Sequence, residues 1–439
     1  MNNNTSKTKS PKNGARYVAA RAVQTVLEQK IPLDQAIAGV ALHDQLEGRD
    51  RAFARLIAAT TLRRLGQIDK ALAPFMRQEP AAYPLAAIRT GAAQTLFLET
   101  PPHAAVGGAV SLLKKSKKTI AFSGMANAVL RRVSEQAESL LAKTSTVDNL
   151  PAWLRQSWTE SYGKAACAAM ADMFAQEPPL DLTVKSEPEK WAQALDAKAL
   201  PGGTVRKDKI GNITQLPGFD SGDWWAQDIS ASLPVKLMGD LAGKRVLDMC
   251  AAPGGKTLQL AASGANVTAL DKSEDRLRRV RENLSRTGLA AEIAAGDGMK
   301  WRDPQSKSRG GFDAVLLDAP CSATGIFRRR PDVLHIKTTA DVDSLVRVQE
   351  KLLLAAALHV KKGGSLIYCT CSLQTREGED QVARFLKNRS DFRLNPVLAS
   401  EMYGIPDSIT AKGCVRLLPQ TLRADGGMDG FFIARFTRC

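Results

Sequence analysis

The sequence predicts a multidomain protein in three parts: an all-α bundle, a small α+β module, and an α/β domain built on a mostly parallel, doubly wound sheet. Three observations predict it. Alanine and leucine recur at three- and four-residue spacing from Ala15 to about Val133, as in ARYVAARAVQTVLEQ and RAFARLIAATTLRRLG, which is the period of a helix face. Residues 141–234 pass from an amphipathic helix to short alternating runs, DLTVK, GGTVRKDKI and GNITQL, which read as strands. From Gly243 strand-like and helix-like segments alternate, the order expected of a parallel sheet covered by helices. The expected limits are 1–14 for a disordered basic tail, 15–140 for the bundle, 141–234 for the module and 235–439 for the sheet domain.

Length and charge agree with that division. At roughly 150 residues per domain, 439 residues make two or three, and 44% apolar content is enough for packed cores. The formal net charge of +16 divides into +10 over 1–140, −3 over 141–234 and +9 over 235–439. Two basic blocks flanking an acidic one are the footprint of a polyanion partner, although solubility alone can also select such an excess. The start, MNNNTSKTKSPKNGAR, has no apolar run behind it, and no window reaches the 18 or so apolar residues of a membrane span. Seven scattered cysteines fit free thiols in a reducing cytoplasm, and neither secretion nor membrane insertion is expected.

Within the bundle, Pro101-Pro102 breaks the pattern after LFLET. The following helix is expected to carry Lys114, Lys115, Lys117 and Lys118, and FSGMANAVLRR ends in Arg131 and Arg132. These six cations can line a nucleic-acid groove or form an ordinary solvated face. In the sheet domain RVLDM, NVTALD, AEIAA, FDAVLLD, SLIYCT and FFIARF read as strands. GGKTLQLAAS, SEDRLRRVRENLSRTG with Gly288 as its stop, and the stretch from Leu345 to Val360 read as helices. Ligands of such sheets bind outside the C-terminal strand ends, and every unusual residue here falls at one.

After RVLDM comes the turn Cys250-Ala251-Ala252-Pro253-Gly254-Gly255-Lys256, feeding a helix. Small residues let the backbone approach a ligand, and a helix start offers free N–H groups. Asp271 ends the second strand, where an acidic side chain grips ribose hydroxyls, and Asp297 follows the third. The phosphate-loop and dinucleotide patterns both fail, so a nucleoside-like cofactor without polyphosphate is expected. Two cysteines occupy polar strand ends, in Asp318-Ala319-Pro320-Cys321-Ser322 and Thr370-Cys371-Ser372. No C-x-x-C pair exists and the four histidines are scattered, so no metal site is expected. Cys167, Cys369 and Cys414 suit buried packing. Cys321 and Cys371 are candidates for a nucleophilic thiolate, and the residues alone do not choose between them.

CAAPGGKT, ALDKSEDRLRRVRENLSRTG, GDG, DAPCSATG with RRRPDV, and YCTCSLQTREGEDQV together resemble the Sun/Fmu-type RNA cytosine-5 methyltransferases, over about residues 220–439. The resemblance implies a Rossmann-like class I methyltransferase fold and S-adenosylmethionine as methyl donor. It also implies that Cys250, Ala251, Ala252, Pro253, Gly254, Gly255 and Lys256 form the cofactor loop, Asp271 binds its ribose, Asp297 lies near its adenine and Asp318 closes the pocket. By the same resemblance Cys371 is the nucleophile and Cys321 aids product release. DNA cytosine-5 methyltransferases attack with the P-C cysteine, usually before glutamine; Ser322 and a second cysteine favour the RNA branch.

PPHAAVGGAV and FSGMANAVLRR, within about residues 15–138, are similar to NusB, an all-helical RNA-binding fold. The fusion points to bacterial enzymes that methylate small-subunit (16S) rRNA, and the middle segment lies where those proteins carry a small RNA-recognition-like module or spacer. The resemblance thus implies an RNA partner, and a monomer is expected. Rival readings are a tRNA cytosine-5 methyltransferase, a non-catalytic RNA-binding or antitermination factor, and a DNA methyltransferase.

Overall fold

The structure, a computed structural model, describes residues 13–208, 211–305 and 310–439. The chain forms two compact units: the described residues up to Gln176 together with Phe327–Lys337, and Glu177–Ile326 together with Thr338–Cys439. The tail expected over 1–14 lies outside the described residues except for Asn13 and Gly14, which open the first helix.

The first unit is all α. Its main helices are Gly14–Gln29, Gly48–Arg63, Leu65–Leu72, Ala82–Phe97, Pro102–Lys114, Ser123–Glu135 and Ala152–Phe174. The small-residue periodicity becomes packing: Val18, Ala19, Ala22, Val23 and Val26 are all buried on one face of the first helix. Pro102 stands at the start of its helix, where its missing N–H costs nothing. That helix ends at Lys114, so the expected four-lysine helix is corrected: Lys115 caps it and Lys117 and Lys118 lie in the turn beyond. All four lysines, with Arg131 and Arg132, are solvent-exposed.

The helical unit runs on to Gln176 and also takes in Phe327–Lys337. Ala152–Phe174 packs in the helical unit because Trp158 and Phe174 stack on Phe327, with ring centroids 5.9 and 5.1 Å away. Phe327–Lys337 is held there by Arg63 Nη2, which donates to the Arg328 carbonyl at 2.8 Å, and by His335 Nε2, which donates to the Leu62 carbonyl at 2.7 Å.

The second unit has two sheets. Strands β1 (Leu180–Val184), β2 (Lys198–Ala199), β3 (Thr204–Lys207) and β4 (Trp224–Ala226) form an antiparallel sheet in the order β2-β3-β1-β4. The expected strand in GNITQL is instead a 3-10 turn, Ile213–Gln215, because the Asn212 side chain accepts from Thr214 N at 3.1 Å and closes a local turn. Residues 209 and 210 of GGTVRKDKI lie outside the described residues. Buried Arg206 forks onto Asp181 at 2.6 and 2.7 Å and donates to the carbonyls of Asp425 and Gly427, so this sheet groups with the larger one.

The larger sheet contains β5 (Arg245–Met249), β6 (Asn266–Asp271), β7 (Glu292–Ala295), β8 (Phe312–Asp318), β9 (Val360–Thr370), β10 (Phe392–Leu394), β11 (Val415–Leu417) and β12 (Phe431–Arg438). Its order is β10-β12-β9-β8-β5-β6-β7, with β11 also on β12. Strands β5 to β9 pair in parallel, and β12 runs antiparallel to β9. The chain therefore winds outward from β5 to β7 and then returns to β8 on the other side. The crevice between β5 and β8 is the switch point where this topology places a ligand.

Candidate active site

At the end of β5 the backbone turns at Cys250 (φ 64°) and Gly254 (φ 108°) before the helix Gly255–Ala262. At position 254 the left-handed conformation favours glycine, and a Cβ there would stand 3.3 Å from Val280. Beneath the turn, Thr257 Oγ1 donates to Asp248 Oδ2 at 2.6 Å; burial pushes the Asp248 carboxyl up to about 7. Burial, with Asp271 and Asp318 nearby, pushes the Cys250 thiol up to about 12. Asp271 Oδ2 accepts from Ala252 N at 3.2 Å and Oδ1 from Ser273 N at 3.0 Å, which fixes the carboxylate at the tip of β6.

These strand ends enclose a cavity of about 380 Å³. Of the sequence-predicted residues, Cys250, Ala252, Asp271, Asp297, Asp318, Cys321 and Cys371 line it. Ala251, Pro253, Gly255 and Lys256 instead line an adjoining cavity of about 190 Å³, which shares Cys250, Ala252 and Asp318. Gly254 lines neither and packs the helix on its neighbour. Three carboxylates, Asp271, Asp297 and Asp318, with the small walls Gly296 and Gly298, offer acceptors to a ligand's hydroxyls, while Lys272 and Arg276 line the same cavity and Lys256 pairs with Asp318.

The two strand-end cysteines converge. Cys321 Sγ lies 3.4 Å from Cys371 Sγ, at the ends of the adjacent strands β8 and β9. The hydrogen bond to Cys371, burial and the nearby Glu377 charge together hold the Cys321 thiol well above its ordinary value. Cys369 is buried, and burial and Asp318 raise its thiol likewise, while Cys167 and Cys414 are also buried. Gly325 N donates to the Cys371 carbonyl at 2.9 Å, drawing the loop after Cys321 onto the end of β9.

Sequence reasoning passed over the residues that tie these loops together. Glu377 is fully buried and accepts from Ser322 N at 2.9 Å, from Ser322 Oγ, from Ser372 Oγ and from Gln349 Nε2 at 2.8 Å. The acid-rich stretch REGED was visible, but nothing in its spacing showed which carboxylate turns inward. Among the described residues, no three His, Cys, Asp or Glu side chains gather as metal ligands would. No described helix is long and apolar enough to cross a membrane.

Comparison with known proteins follows the same division. The family model "16S rRNA methyltransferase RsmB/F" matches residues 237–437, and the NusB family model matches residues 13–135. Ribosomal RNA small subunit methyltransferase B of Cronobacter sakazakii is 32% identical over 96% of this chain and 98% of its own length. That of Citrobacter koseri is 33% identical over 97% and 99%. In fold, the crystal structure of PH0851 superposes with a TM-score of 0.72 at 20% identity, covering 98% of this chain and all of the other. The two models cover the helical region and the sheet domain in turn, and at 32–33% identity over nearly its whole length the chain belongs to the ribosomal RNA small subunit methyltransferase B family.

Proposed function

We propose that the protein is an S-adenosylmethionine-dependent RNA cytosine-5 methyltransferase that modifies a cytosine of 16S rRNA in the bacterial cytoplasm. The observation that carries the reading is the thiol pair, Cys321 and Cys371, 3.4 Å apart beside a cavity edged by carboxylates. S-adenosylmethionine, when bound, supplies an electrophilic methyl group. The Cys250–Lys256 loop, Asp271, Asp297 and Asp318 would hold it, the small residues letting it approach and the carboxylates accepting from its hydroxyls.

Carbon 5 of cytosine is a weak nucleophile until something adds to carbon 6. Cys371 makes that bond as a thiolate, so the ring's electron density moves to carbon 5; covalent catalysis thereby divides one hard step into easier ones. Loss of the carbon 5 proton to solvent water after methylation restores the ring double bond and expels the Cys371 sulfur. Cys321, as the adjacent thiol, offers its proton to that departing sulfur. Asp318 faces the same cavity and orients the base or the methyl donor. The exposed cations Lys114, Lys115, Lys117, Lys118, Arg131 and Arg132 suit the RNA backbone. They help to offset the few kcal/mol spent in unstacking a base.

The test is transfer of a labelled methyl group from S-adenosylmethionine to 16S rRNA. Wild-type protein is expected to label a cytosine, read by bisulfite sequencing, and Cys371→Ala to label none. Transfer at the wild-type rate by Cys371→Ala would sink the assignment of the nucleophile.

A further inference from the structure

Residues next to each of the two cysteines make contacts that meet at one side chain. Gln349 Nε2 donates to the Pro320 carbonyl at 2.9 Å, just before Cys321, and also to Glu377 at 2.8 Å. Just after Cys321, Ser322 gives Glu377 both its N–H and its hydroxyl. After Cys371, Ser372 Oγ donates to the same carboxylate, and the two serine hydroxyls lie 3.1 Å apart. Glu377 is itself anchored, since Tyr368 Oη donates to its carbonyl at 2.7 Å.

Four donors fill the lone-pair sites of one carboxylate. An acid used only for packing would be a poor choice, because desolvating it carries a cost that an apolar side chain avoids. The carboxylate does what an apolar group cannot: it fixes two loops, 50 residues apart in sequence, relative to each other. Its charge also lies near Cys321, where it favours the protonated thiol.

We propose that Glu377 is a positioning residue: by accepting from Ser322 and Ser372 together it sets the separation of Cys321 and Cys371, and so controls how fast the covalent RNA adduct is resolved. The proposal rests on the cysteine-adduct reading above and assigns a partner to it.

The test uses the full chain with Glu377→Gln, which keeps the shape but turns an acceptor towards a donor. With 16S rRNA, kcat is expected to fall at least about tenfold while KM changes less than about threefold, and adduct is expected to accumulate on a denaturing gel. A second reading needs no RNA. Diamide takes two hydrogens from a close thiol pair to form a disulfide, and Cys321–Cys371 bond formation, followed by mass, is expected to slow at least about fivefold in the variant. Unchanged kcat, or an unchanged oxidation rate, in a variant that still binds S-adenosylmethionine overturns the proposal. Should Glu377→Gln lose that binding, Ser372→Ala, which removes one tether and keeps the buried carboxylate, is judged by the same two readings. If wild-type protein transfers no methyl group to RNA, the reaction assignment fails, and the diamide rates still decide the role of Glu377.

Discussion

The Lys256 ammonium lies 2.7 Å from Oδ2 of Asp318, joining the helix after β5 to the strand end that carries Cys321. Burial alone would lower its pKa, but Asp318 more than offsets that and holds it above the ordinary value. Lys256→Met keeps the aliphatic stem and leaves Asp318 without its cation. A fully buried pair broken on one side costs ~3–5 kcal/mol, but Asp318 keeps a third of its side chain exposed, so ~1–2 kcal/mol is expected. Chemical denaturation measures it, and the double variant with Asp318→Asn is expected to recover part of the loss. An unchanged unfolding midpoint in Lys256→Met would show that the pair contributes no stability.

Cys321→Ala separates release from attack. The proposed nucleophile remains, but the sulfur neighbour 3.4 Å away is gone, so protein is expected to be trapped on RNA as a covalent adduct. A denaturing gel run during turnover reads this directly. Absence of a shifted band in Cys321→Ala, with methyl transfer at the wild-type rate, would remove Cys321 from the chemistry.

Much of this site was legible because its signals are local. RVLDM is a short apolar run, and Gly288 is a helix stop that the structure places in the left-handed conformation. Both fix where a strand or helix ends, and strand ends fix where a ligand sits. GNITQL misled because its alternation matched a strand while Asn212 offered the backbone a closer partner. Glu377 and the docking of Phe327 on Trp158 depend on residues 55 and 169 positions apart, which no periodicity records. The division of labour between the thiols likewise came from resemblance, since both lie at strand ends of one crevice.

Gly325 tests how closely the two cysteine loops must approach. A Cβ there would lie 2.0 Å from the Gly430 carbonyl oxygen and 2.9 Å from that of Cys371, both backbone atoms with no rotamer to yield. Gly325→Ala is expected to destabilise the second unit by ~2–3 kcal/mol, since overpacking against backbone displaces both loops. It is also expected to slow methyl transfer more than it weakens S-adenosylmethionine binding, because the shift falls on Cys371. Wild-type melting and kcat in this variant would mean the loops have room to separate.

His335 gives the helical unit an acid limit. Burial lowers its pKa to about 4, against an ordinary 6.5, while its Nε2 donates to the Leu62 carbonyl. Between those two values the unfolded chain binds a proton that the folded chain does not. Stability is therefore complete above about pH 6.5 and falls as pH drops towards 4, by up to ~3 kcal/mol from this group. His335→Gln removes the titrating group and keeps a donor for Leu62, so its stability is expected to change less over the same window. Hydrogen exchange in Gly48–Arg63, the helix that holds Leu62, reads the effect at pH 7 and pH 5 once intrinsic rates are removed. Equal acid sensitivity in wild type and variant would place the titrating group elsewhere.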